Sequence, residues 1–106
     1  MSYTGHEDHS ITLATAAAWT KNYRDSAGSG ATIGGYYGGS AISAILAQTG
    51  CVGIRIYYAI DNTGAKQLVI TGVDSSGNDL YNGLLAERGL NCPASCSSSN
   101  PLNTNP

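Results

Sequence analysis

The chain has 106 residues, 11% of them charged, and a formal net charge of -2. So little basic charge excludes a phosphate-tracking surface, and nucleic acid is not an expected partner. The count of 8 Ile, 8 Leu, 3 Val and no Phe leaves large aliphatic residues at about 18% of the chain, a thin supply for one core. That shortage is the first pointer to a partner subunit.

The first ten residues, "MSYTGHEDHS", are polar and turn-rich. They lack the basic start and apolar stretch of a signal peptide, and no later segment is long and apolar enough for a membrane helix, so no membrane insertion is expected. Localisation stays open between the cytoplasm and export as a mature form.

"SITLATAAAWTKNYRD" places Leu13, Ala16, Ala17, Thr20 and Tyr23 at helical spacing, with Trp19 widening the stripe. A helix is predicted from about 12 to 25, capped by Ser10 or Thr12, with Lys21 and Arg24 suited to its C-terminal dipole. "AGSGATIGGYYGG" reads as a loop or irregular strand. Ser40 is the expected cap of a second helix whose stripe is Ile42, Ile45 and Leu46, and Gly50 is its expected stop.

"CVGIRIYYAI" is the clearest strand. Alternation puts Val52, Ile54, Ile56, Tyr58 and Ile60 on one face, and Cys51, Gly53, Arg55, Tyr57 and Ala59 on the other. "DNTGAK" is a turn, "QLVITGV" the returning strand, "DSSGND" a second turn, and "LYNGLLAE" a third strand or short helix. The expected fold class is α+β: two helices packed on a small antiparallel β-meander, with an irregular Cys/Pro tail. The expected organisation is a single domain over 1–106, with a core at 11–90 and extended terminal arms at 1–10 and 91–106.

At "GCVGIRIYYAID", "QLVITGVDSSGND", "CPASC" and "NPLN" the chain resembles a group of small uncharacterised bacterial proteins of the Bacteroidetes type. The resemblance spans most of residues 11–103 and implies an α+β domain with a cysteine-bearing tail. It brings no catalytic residues. The Gly-rich, charge-poor segment around Tyr36 and Tyr37 departs from that group.

Cys51, Cys92 and Cys96 are the disulfide candidates, an odd count that leaves one thiol free or paired to another chain. Cys92 and Cys96 have Cys-x3-Cys spacing, so the thioredoxin-type motif is absent. A disulfide is the first expectation in an oxidising setting and free thiols in a cytosol. His6, His9, Cys92 and Cys96 also have the ligand types of a tetrahedral zinc site, although a polar "HEDH" start is more often simply solvated. No cofactor is otherwise expected. Cys51 reads as a small buried hydrophobe. Asp74, Asn78 and Asp79 lack a closing acidic ligand for calcium and read as turn chemistry. No catalytic residue is assigned, because no nucleophile–base or carboxylate pair can be read.

Seven tyrosines suit half-buried surfaces. Tyr36, Tyr37, Tyr57, Tyr58, Pro101 and Leu102 are the candidate interaction residues. The expected function is therefore non-enzymatic: a structural or interaction protein that self-associates into a homo-oligomer or filament through tyrosine and small-residue surfaces and its arms. The alternative is a small metal- or thiol-dependent module built on Cys92, Cys96, His6 and His9.

Overall fold

The computed structural model describes residues 2–87 and 89–105. They form two compact units, one made of residues 2–7, 37–87 and 89, the other of residues 8–36 and 90–105. The fold is α+β, with two helices and two antiparallel sheets.

In the first unit, helix α2 (Gly39–Leu46) lies against a three-stranded sheet of order β2-β3-β4: Cys51–Ile60, Lys66–Asp74 and Leu85–Ala86. The helix starts at Gly38, which makes no side-chain cap bond, so Ser40 is not the cap but sits inside the first turn. It ends at Leu46, and Gly50, at φ 79°, turns the chain into β2 a few residues later. Strand β2 has the bounds its alternation predicts. Its hairpin turn is built by Asp61, whose Oδ1 accepts from Thr63 N at 2.8 Å and Ala65 N at 3.1 Å, with Gly64 at φ 88°. Asp74 builds the next turn in the same way, accepting at Oδ1 from Ser76 N and Asn78 N, both at 3.0 Å. "LYNGLLAE" contributes only the two-residue strand β4, which pairs with Ile70 and Thr71.

One irregularity changes a face. A bulge between Cys51 and Gly53 pairs Cys51 with Asp74, and Ile54 with Gly72. An extra residue on one strand reverses the alternation before it. Cys51 therefore joins the Ile54 face rather than the Gly53–Arg55 face expected for it. A Cβ on Gly72 would meet Cys51 Sγ at 2.9 Å and Ile45 Cγ2 at 3.3 Å. Glycine at 72 is what lets α2 close on the sheet. The buried apolar residues here are Ile45, Ile70 and Val73.

In the second unit, helix α1 (Leu13–Ala27) begins where Thr12 Oγ1 accepts from Thr15 N at 3.1 Å. Thr12 is thus the cap, and Gly28, at φ 88°, ends the helix by donating its N–H to Arg24 O. Strands β1 (Gly34–Tyr36) and β5 (Leu90–Cys92) pair antiparallel, with Gly34 opposite Cys92. Asn91 and Cys92, expected at the root of an extended arm, are thus held in a sheet with Leu90.

Candidate functional site

The most exposed apolar surface of the first unit follows from a mismatch of lengths. An eight-residue helix is about 12 Å long, whereas a ten-residue strand runs about 33 Å. Helix α2 therefore covers the end of the sheet near Gly72 and leaves the rest. Exposure along the stripe rises from 39% at Ile54 and 48% at Ile56 to 93% at Tyr58 and 72% at Ile60. Fully burying one such aliphatic side chain contributes about 1.5–3 kcal/mol, so this face forgoes several kcal/mol. Strand β2 is also an edge: among the described residues β3 is its only neighbour. A long apolar edge is normally blunted by shortness, Lys or another charge, Pro, or a bulge; the bulge of β2 is confined to its start, between Cys51 and Gly53, and its one charged side chain, Arg55, is held by Asp79 on the other face. The ten residues of β2 contain neither Lys nor Pro.

The opposite face of β2 is polar and satisfied. Arg55 Nη1 donates to Asp79 Oδ1 at 2.6 Å and to Gly77 O at 3.0 Å, and its guanidinium lies over the Tyr3 ring. The Tyr57 hydroxyl donates to Asp79 Oδ2. That bond, with the Arg55 charge, holds the Asp79 carboxyl below the ordinary carboxylate range and raises the Tyr57 phenol. A carboxylate clamped by two donors, one of them cationic, is a poor general base. The cluster pins residues 77–79 and Tyr3 to the sheet.

The second unit presents a different surface. The side chain of Arg24 reaches the tail, donating to Leu102 O at 2.6 Å and to Asn105 Oδ1 at 2.7 and 3.1 Å. Asn105 in turn donates to Asp25 Oδ1 at 3.2 Å. A groove of about 450 Å³ lies between α1 and the tail, lined among others by Lys21, Pro101 and Thr104. Helix α1 buries none of its residues, and Leu13 and Trp19 are each 61% exposed.

The predicted interaction residues fall in different places. Tyr58 and Tyr36 are exposed, and Tyr57 is half-exposed but bound to Asp79. Tyr37 turns inward and donates to Leu68 O at 2.6 Å. Pro101 and Leu102 are exposed on a tail anchored within its own chain. Cys92 and Cys96 form a disulfide, and Cys51 is a free thiol whose Sγ lies 3.2 Å from Gly53 O. While that disulfide stands, neither sulfur is a thiolate ligand. His6 and His9 are exposed, and among the described residues no group of three or more His, Cys, Asp and Glu is placed to hold a metal ion. No helix among them is long and apolar enough to cross a membrane.

Sequence reasoning missed Ile54, Ile56 and Ile60 as surface residues. The signal was present: one short apolar helix cannot cover a strand of ten residues. It also missed Arg24 as the tail's anchor, since it read that side chain only against the helix dipole.

Compared with known proteins, the chain matches no family model, no curated protein and no solved structure.

Proposed function

We propose that this protein is a non-enzymatic interaction protein that works by associating with copies of itself. The observation that carries the reading is the uncovered stripe of Ile54, Ile56, Tyr58 and Ile60 on an edge strand. Monomeric proteins rarely leave contiguous apolar surface of this kind in water. The low surface charge removes the repulsion that would keep copies apart. The terminal tail plays a smaller part in this reading, because its hydrogen-bonding groups are already engaged by Arg24 and Asp25.

Light scattering coupled to size-exclusion chromatography over a range of concentrations tests it. A mass that rises to at least twice the monomer's 10.9 kDa is expected. A constant monomer mass at high concentration would overturn the reading.

A further inference from the structure

We infer that two copies join β2 to β2 about a two-fold axis centred on Tyr57, giving one six-stranded sheet and a closed dimer. This rests on the self-association proposed above and names its partner surface and register.

The backbone groups of β2 that face outward follow from its pairing with β3. In an antiparallel pair, opposite residues alternate between exchanging both hydrogen bonds and pointing both away. Asp61 N donates to Ala65 O at 2.9 Å, which sets the alternation for the hairpin. Counting back from that pair, Ile60, Tyr58, Ile56 and Ile54 are the residues of β2 whose N–H and C=O point away from β3. Two contacts on the far side of β3 agree. The carbonyls of Leu68 and Gly72, opposite Tyr58 and Ile54, accept from Tyr37 Oη and Leu80 N rather than from β2. The free edge therefore offers four donor–acceptor residues in a row.

The other edge of the sheet is β4, only two residues long. Beyond β4, the outward carbonyls of β3 are taken by Tyr37 and Leu80. A head-to-tail β2-to-β4 contact would find little to pair with, so sheet extension does not propagate into a filament. Antiparallel β2-to-β2 pairing meets an equal and complementary edge, and closes. A two-fold axis normal to the sheet also keeps each residue's face, so the two stripes lie side by side and their cross-strand neighbours cover part of each other.

A centre at Tyr57 matches Ile54 with Ile60 and Ile56 with Tyr58 of the second copy, so every outward residue is paired. A centre at Ile56 would need Val52, and Gly5 lies so near the Val52 carbonyl that a Cβ on it would meet the oxygen at 2.5 Å. A centre at Arg55 would oppose two guanidinium groups, and like charges directly opposite are destabilising. Centring on Tyr57 places Arg55 against Ala59, with its charge already met by Asp79.

Cysteine cross-linking of the full chain, in a Cys51→Ser background, reads this register. Oxidised glutathione takes up the two electrons and two protons released as each new disulfide forms. With the centre at Tyr57, that residue faces itself in a pair that does not exchange hydrogen bonds, at about 4.5 Å between Cα atoms, within reach of a disulfide. Tyr57→Cys should shift from the monomer to the dimer band on a non-reducing gel. Because that substitution also removes the bond to Asp79, a second arm leaves the cluster intact. Ile56→Cys and Tyr58→Cys should each fail to couple alone and should couple when mixed. Self-coupling of Ile56→Cys or Tyr58→Cys overturns the register. A dimer by light scattering with no coupling at any position overturns edge pairing while leaving self-association standing. A monomer throughout overturns both.

Discussion

The two units are held together by different physics. In the first, a short helix packs Ile45 on the sheet beside Gly72, Ile70 and Val73 are buried in the sheet's central strand, and side-chain hydrogen bonds tie the turns to that frame. In the second, a helix nearly twice as long buries none of its residues. Its order comes from Thr12 at one end, Arg24 gripping the tail, and the Cys92–Cys96 bond beside a two-stranded sheet. Helix length alone does not create stability in water, because most helical stability in proteins comes from packing an apolar face. Unit one has such packing and still leaves half a sheet face bare. Unit two substitutes polar and covalent ties for a core.

The contrast can be broken most severely at Ile45. Ile45→Ala removes the side chain on which α2 rests, and should cost about 2–5 kcal/mol. Urea unfolding followed by near-ultraviolet circular dichroism reads that loss, because the tyrosines of the sheet report it. An unchanged midpoint would mean that α2 does not anchor the sheet.

Reduction, or Cys92→Ser with Cys96→Ser, probes the second unit. Opening so short a covalent loop should cost about 2 kcal/mol. Hydrogen exchange should rise in β1, β5 and the tail while β2 and β3 keep their protection. Equal loosening of the β2–β3 hairpin would show that the two units do not differ as described.

The smallest effect is set by pH. In the folded chain the Asp61 carboxyl is held well below its usual range, first by the Thr63 hydroxyl, then by the Gln67 amide and backbone N–H groups. A carboxyl so lowered contributes stability that is fully present above its unfolded pKa of about 3.9 and is lost as pH falls through the folded value. Asp79 behaves in the same direction. Denaturation midpoints should therefore hold from neutrality to about pH 5 and decline below pH 4. Asp61→Asn should flatten part of that decline, by a modest amount because the site is solvent-exposed. An acid decline identical to that of the unaltered chain would remove Asp61 from the account.

Much of this was legible in residue order. A cap at Ser10 or Thr12, the bounds of β2 and the turns at 61–66 and 74–79 depend on neighbours within a few positions, and side-chain to backbone bonds of that range leave clear marks. That the Tyr57–Tyr58 pair would send one ring to each face was readable from strand alternation, but not which ring would be left in water. The bulge after Cys51 was not, because it exists only against β3 and reverses one face without changing the local pattern. Pairing of β1 with β5 was hidden as well, since "GGY" and "LNC" carry no alternation long enough to read. Of three cysteines, only spatial approach selected Cys92 and Cys96.

Residue order therefore carried the two helices, the β2–β3 hairpin with its turns, and the short supply of large aliphatic residues. Tertiary structure alone decided which face is left bare, which thiols meet, and that the tail closes on Arg24. The reason is one of range. Propensity, capping and turn bonds act within a few residues, whereas burial, register and long-range hydrogen bonds depend on partners far along the chain.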